Sequence, residues 1–212
     1  MTTGAPVIHV VDDDALFRTA VARLLRASGY QVALYECASQ LIEAPASVEP
    51  GCILLDVRMP GTNGPELQAR LAGRGNPLPI VFVTGHGDVP TSVRAIKAGA
   101  EDFLLKPVSK KTLLAAVERA LAEYKARAER NERLDRMRML LSTLTPRERE
   151  VFALLVRGKL NKQIAYELGT SERTIKAHRH VIMEKLKVGS LAEAVSIAER
   201  VGLLAAAQGA GG

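Results

Sequence analysis

The first half of the chain alternates between short apolar runs and stretches with helical spacing. Val7 to Val11 is a largely β-branched run that ends on Asp12, Asp13 and Asp14. Ala15 to Ala27 then repeats apolar residues at helical intervals through Leu16, Ala20, Leu24 and Ala27, ending at Gly29. Gln31 to Tyr35 reads as a second strand and Ala38 to Ala44 as a short helix before a loop holding Pro45 and Pro50. Cys52 to Leu55 has the continuous apolar character of a strand buried on both faces, and Pro65 to Leu71 reads as a helix. Ile80 to Val83, Val89 to Ala98, Asp102 to Leu105 and a helix beginning at Ser109 complete the series. Five strands alternating with five helices predict an α/β fold, a flavodoxin-like doubly wound parallel sheet whose carboxyl strand ends share one crevice.

The polar residues that interrupt this pattern gather at those strand ends. Asp12 and Asp13 follow the first strand, Asp56 the third, Thr84 the fourth and Lys106 the fifth. Clustered carboxylates repel one another and attract a hard divalent cation such as Mg²⁺, which prefers oxygen ligands. A phosphoryl group on Asp56 would have its charge met by that metal, by the Lys106 ammonium and by the Thr84 hydroxyl. Nucleophile-triad chemistry fares worse, because no serine stands in a nucleophile elbow and His86 lies in a glycine loop without an evident partner.

Past Ser109 the helical pattern runs on to about Met139. Val117, Leu121, Tyr124 and Ala128 keep an apolar seam, charges alternate from Glu123 to Arg138, and neither Gly nor Pro occurs from Val108 to Thr145. A solvated helical linker fits this better than a flexible tether, and Asn131 and Asp135 interrupt the heptad that a coiled coil would need. Thr145-Pro146-Arg147-Glu148 then has the form of a capping box with Pro at the first helical position. Val151, Leu154 and Leu155 give this helix an apolar face, Lys162 to Leu168 predicts a second, and Ser171 caps a third. Two short helices joined across Gly169 fit a helix-turn-helix within an all-α bundle of about four helices. On the third helix Ile175, Ile182 and Leu186 face inward, and His178 shares that side. The opposite side carries Arg173, Lys176, Ala177 and His180, with Arg179, Lys185 and Lys187 beside it.

Charge sharpens this division. Residues 1–122 hold 12 basic and 12 acidic side chains, whereas 123–212 hold 17 and 11, so the whole net charge of +6 belongs to the second part. That asymmetry fits a polyanion such as nucleic acid as partner of the second domain, although a basic surface is often only a solvated face, and charge alone does not decide between them. A hydrophobic content of 47% in 212 residues is ample for ordinary cores. Met1 to Ala5 show no basic segment followed by an apolar one and no run approaches a membrane span, so the expectation is a cytoplasmic protein with no membrane partner. Cys37 and Cys52 are too few for a disulfide framework and read as packing residues.

Two sets of motifs carry a family resemblance. VVDDD at 10–14, LLDVRMPG at 54–61, VTGHG at 83–87 and LLKP at 104–107 resemble the receiver domain of bacterial response regulators over about residues 5–122. The resemblance implies Asp56 as phospho-acceptor, Asp13 as a direct Mg²⁺ ligand, Asp12 as a largely water-mediated one, and the Arg58 carbonyl completing the metal site. It implies Thr84 and Lys106 as phosphate contacts, a cis Lys106-Pro107 peptide, and Phe103 in the family's aromatic switch position. For Phe103 a plain core role stands equally open. LTPRERE at 144–150, NKQIA at 161–165, TIKAH at 174–178 and EKL at 184–186 resemble the LuxR-type DNA-binding domain over about 143–204. There Lys176, Ala177 and His180 occupy groove-facing positions, and Arg179 and Lys185 are expected against phosphates. Relatives often have serine where this chain has Leu160, which cannot cap, so Asn161 is expected to cap instead.

The combined layout resembles response regulators of the FixJ type: a receiver, a linker over 123–142, a DNA-binding domain, and a tail over 205–212 expected to be disordered. It implies phosphorylation by a sensor histidine kinase, a homodimer on phosphorylation, promoter DNA and RNA polymerase as partners, and no enzymatic activity beyond Mg²⁺-dependent self-phosphorylation and its reversal. A phosphate sink, or a basic module that meets another protein instead of DNA, is the rival reading.

Overall fold

The computed structural model describes residues 5–44, 50–85 and 89–204. His86 and the segment 205–212 lie outside the described residues. By internal contacts the chain divides into two units, Met1–Ala128 and Glu129–Gly212.

In the first unit five strands, β1 (Val7–Val11), β2 (Gln31–Tyr35), β3 (Gly51–Leu55), β4 (Ile80–Thr84) and β5 (Asp102–Leu105), form a sheet of order β2-β1-β3-β4-β5. Every pairing is parallel. Helices α1 (Ala15–Ala27), α2 (Ala38–Glu43), α3 (Gly64–Gly73), α4 (Val89–Lys97) and α5 (Lys110–Ser142) connect the strands or follow them. Strand residues alternate between two cores. Ile8, Val10, Cys52, Leu54, Val81 and Val83 pack with Val21 and Leu25 of α1 and Leu113, Ala116 and Val117 of α5. Val11, Ile53, Leu55, Ile80 and Phe82 pack with Leu41 of α2, Leu67 and Leu71 of α3 and Ala95 of α4. Because both faces are covered, β3 and β4 are buried at every position, which is why they read as unbroken apolar runs.

The face of α1 differs from the expectation. Leu16 is 84% exposed and Ala20 and Ala27 are exposed too, while Arg18, Val21, Ala22 and Leu25 are buried. The true core face was disguised by a charge. Arg18 is tolerated inside because Nη1 donates to the Asp12 carbonyl at 2.6 Å and Nη2 reaches Glu36 at 3.2 Å.

Helix α5 continues unbroken to Ser142. Its seam fades along the chain: Val117 is buried, Leu121 and Tyr124 are half-buried, and Ala128 is exposed. Where packing ends, pairs one helical turn apart take over, including Arg127 with Glu123 at 2.8 Å and Arg138 with Asp135 at 3.0 Å.

The second unit packs α6 (Pro146–Leu155), α7 (Asn161–Glu167), α8 (Glu172–Leu186) and α9 (Leu191–Arg200) around Val151, Phe152, Leu155, Ile164, Ile175, Ile182, Leu186 and Ile197. Thr145 and Glu148 form the expected capping box at the start of α6. At α7 the expectation fails. Leu160 itself is the N-cap residue and makes no side-chain cap bond; Gln163 Oε1 accepts from the Leu160 amide at 2.8 Å instead, and Asn161 is the first helical residue.

Gly64 shows how tightly the first unit is built around Asp56. A Cβ there would stand 2.5 Å from the Asp56 carbonyl oxygen and 2.7 Å from Phe82 Cε1, whereas one at Gly73, at the other end of the same helix, would meet nothing within 4 Å. Gly64→Ala is therefore expected to destabilise the unit by about 1–3 kcal/mol through overpacking, and Gly73→Ala to stabilise it by up to about 1 kcal/mol. Urea unfolding of the two variants checks this, and equal midpoints would contradict the close approach.

Candidate functional site

The carboxyl ends of β1, β3 and β5 bring three charged groups together. The ladder between β1 and β3 extends to Asp56, whose amide donates to the Val11 carbonyl at 2.9 Å. Asp12 and Asp56 are 1% and 6% exposed. From the end of β5, Lys106 Nζ lies 2.6 Å from Asp12 Oδ2 and 3.3 Å from Asp56 Oδ1. Pro107 follows through a cis peptide. The ammonium also stands 4.0 Å from the Phe17 ring centroid, which steadies it from the α1 side.

Both carboxylates are oriented by backbone. Asp14 N donates to Asp12 Oδ1 at 3.0 Å and Arg58 N to Asp56 Oδ2 at 2.8 Å. Burial raises the Asp12 carboxyl above its ordinary range, opposed by its hydrogen bond from Lys106 and reinforced by the nearby Asp56. Two carboxylates face one ammonium here, so the site is short of positive charge.

That deficit, and a donor set made only of oxygens, fits Mg²⁺. Among the described residues, however, no three His, Cys, Asp or Glu side chains form a ready-made metal cluster. Asp13 is exposed beside the buried pair, as adjacent residues leaving a strand must be.

Thr84 closes β4, is 1% exposed, and accepts a bond from Lys106 N through its carbonyl at 2.8 Å. Phe103 stands opposite Phe82 in the β4–β5 register, half-buried, with ring centroids 6.1 Å apart.

In the second unit α8 presents two sides. Ile175, Ile182 and Leu186 are at most 1% exposed, and His178 is half-buried. Arg173, Lys176, Ala177 and His180 are all exposed, with His180 Nε2 3.9 Å from Glu184. Arg179 is half-buried and reaches Asn161 Oδ1 at 3.5 Å.

Lys185, expected against a phosphate, has partners within its own unit. Its Nζ donates to Glu148 Oε2 at 2.6 Å and to the Thr143 carbonyl at 3.3 Å, so it ties α8 to the start of α6. Sequence reading overlooked this because the capping box already explained Glu148. An acidic and a basic residue 37 positions apart give no local sign of pairing.

Comparison with known proteins assigns both units. Residues 8–118 match the response regulator receiver domain, and residues 142–198 match the bacterial regulatory proteins of the luxR family. The chain belongs to the two-component response regulators that join a receiver to a LuxR-type DNA-binding domain. Within that class it is 40% identical to the response regulator protein TmoT of Ectopseudomonas mendocina, over 95% of this chain and 91% of that protein. It is also 40% identical to the transcriptional regulatory protein FixJ of Bradyrhizobium diazoefficiens, over 93% and 96% of the two chains. Among solved structures, the response regulator StyR matches with a TM-score of 0.78 and 46% identity over 93% of this chain and 100% of that one. Full-length FixJ from B. japonicum matches with a TM-score of 0.58 and 39% identity over 95% and 99%. No helix among the described residues is long and apolar enough to cross a membrane.

The Glu148–Lys185 pair makes the second unit sensitive to acid. The hydrogen bond from Lys185, and then that from the Thr145 amide, hold the Glu148 carboxyl below its ordinary 4.5. A depressed carboxyl contributes stability that is present above the unfolded value and lost as pH falls through the folded one. Glu148→Gln is expected to lower the melting temperature of this unit at neutral pH and to flatten its decline below about pH 4.5. Parallel pH slopes for variant and wild type would refute the pairing.

Proposed function

We propose that Asp56 accepts a phosphoryl group from a partner histidine kinase, and that this converts the protein into a dimer that binds promoter DNA. The observation that carries the reading is the Lys106 ammonium shared between buried Asp12 and Asp56 at adjoining strand ends. In this reading residues 5–122 are the phospho-acceptor domain, 123–142 the helical linker and 143–204 the DNA-binding domain.

An Asp56 carboxylate oxygen attacks phosphorus as the bond to the donor breaks, leaving an acyl phosphate on Asp56. The Arg58 amide keeps the carboxylate from rotating. Lys106, already between the two acids, moves its charge to the incoming phosphoryl oxygens, and the Thr84 hydroxyl donates to another. Asp12, Asp13, Asp56 and the Arg58 carbonyl would hold Mg²⁺, whose chemistry is to offset charge on the phosphoryl oxygens. Phe103, packed on Phe82 beside Thr84, would report the change towards the surface of α4 and β5.

In the second unit, Lys176, Ala177 and His180 read base edges, Arg173 and Arg179 approach phosphates, and the buried side of α8 fixes their register. Dimerisation supplies a second half-site and its avidity, and RNA polymerase would meet the protein on promoter DNA.

With Mg²⁺ and a small phosphodonor, the wild type is expected to become labelled and Asp56→Asn to remain unlabelled. Label on the Asn variant, or label that persists in excess chelator, would refute the chemistry. For the second unit, Lys176→Ala is expected to weaken specific duplex binding about tenfold, as loss of one base contact of about 1–3 kcal/mol implies. Lys110→Ala in the receiver is expected to leave binding unchanged. Equal losses on specific and random duplexes for both variants would argue against a recognition helix.

A further inference from the structure

A buried polar side chain needs partners for all its polar atoms, and Gln68 has them for only one of two. It projects from α3, is 4% exposed, and takes no part in the groups described above. Its Nε2 donates to two carbonyls at the carboxyl end of α4, Ala98 just past the helix at 3.1 Å and Ala95 within it at 3.4 Å. Its Oε1 is buried and meets no donor among the described residues.

The acceptors lie at the end of α4. That helix closes on Gly99, whose φ of 94° is left-handed. Gly99 N donates to the Ile96 carbonyl at 2.9 Å and Ala100 N to the Ala95 carbonyl at 3.0 Å. These bonds serve residues 95 and 96, while the Ala98 carbonyl, at the terminus, takes the amide of Gln68. Thus α3 caps α4 from outside.

Such a cap holds without committing. Two hydrogen bonds favour the contact and one stranded oxygen opposes it, so the contact opens at a lower cost than two unopposed hydrogen bonds would set. The rest of α4 is loosely anchored: Ala95 is its one buried side chain among the described residues, and Val93 and Ile96 are 45% and 46% exposed. Alongside lies an open surface groove of about 400 Å³, lined by Gln68 together with Val57, Arg58, Asn63, Thr91 and Arg94, so this side of α4 meets solvent and not a close-packed wall. The same groove borders the loop that follows Asp56.

We propose that Gln68 is a positioning residue for the phosphorylation switch: its amide caps α4 in the unphosphorylated protein, and this cap opens when Asp56 is modified. The proposal rests on Asp56 being the phospho-acceptor. It assigns to one side chain the threshold at which α4 moves.

Two full-length variants test it. Gln68→Met keeps the length and removes both the donor and the stranded acceptor. Gln68→Lys keeps a donor, removes the acceptor, and sets a cation at a helix carboxyl end, where it is favourable. Amide exchange is measured at Ala98, Gly99 and Ala100, with the amides of β1 reporting global stability, and the dimer fraction is measured before and after acetyl phosphate and Mg²⁺. In the Met variant we expect exchange at these three amides to rise at least tenfold over any change in β1, and dimer to form at lower phosphorylation. In the Lys variant we expect wild-type exchange or slower, and a higher phosphorylation requirement.

Unchanged exchange at these amides in the Met variant, or the same dimerisation threshold in all three proteins, would overturn the proposal. Label on wild-type Asp56 is measured in the same samples. A failed phospho-acceptor reading then shows as missing label, and a failed latch as unchanged exchange in labelled protein.

Discussion

Two carboxylates buried at neighbouring strand ends repel each other, and the Lys106 ammonium is what lets Asp12 and Asp56 stand together. It ties the end of β5 to the ends of β1 and β3, which the sheet's own ladder does not do directly, since β5 pairs with β4 and β1 with β3. Removing one partner of a buried ion pair costs about 3–5 kcal/mol because the other is left uncompensated. Most of the surrounding detail serves this balance: the Asp14 and Arg58 amides aimed at the acids, the Phe17 ring against the ammonium, and Arg18 on the Asp12 carbonyl. A receiver is in this sense a charge deficit held ready, with its fold supplying the walls.

The second unit solves a different problem with similar means. Its helices are short and its core small, so their relative placement depends on contacts at their ends. Glu148 closes the capping box of α6 and accepts from Lys185 of α8 with the same carboxylate. The helix that would meet DNA is therefore fixed from behind by a charge pair, while the apolar side of α8 fixes its rotation.

Strands and their polar ends were legible because a parallel sheet covered on both faces writes itself as apolar runs, and its chemistry falls where those runs stop. Asp12, Asp56, Thr84 and Lys106 are found at those ends for that reason. What was illegible depended on long-range partners. On α1 a charge sits on the buried face, where the Asp12 carbonyl and Glu36 receive Arg18, while the apolar spacing through Leu16 and Ala20 falls on the exposed side. Lys185 looked free on its own helix. Asn161 looked like a cap, but the Gln163 side chain satisfied the Leu160 amide without it. Gln68 carried no signal at all, since a glutamine on a helix is ordinary until its neighbours are known.

The two cysteines give the molecule an experimental handle. Cys52 is fully buried in β3, and burial pushes its thiol up to about 12. Cys37 stands before α2, partly exposed, and its hydrogen bond with Ser39 at 3.0 Å holds its thiol below the ordinary value. A thiol-directed fluorophore or spin label would thus find one reactive address in the folded chain without any engineering, and that address lies on the edge-strand side of the sheet, next to β2. Appearance of a second reactive thiol would mark the opening of the core around β3, so the same reagent reads both position and unfolding.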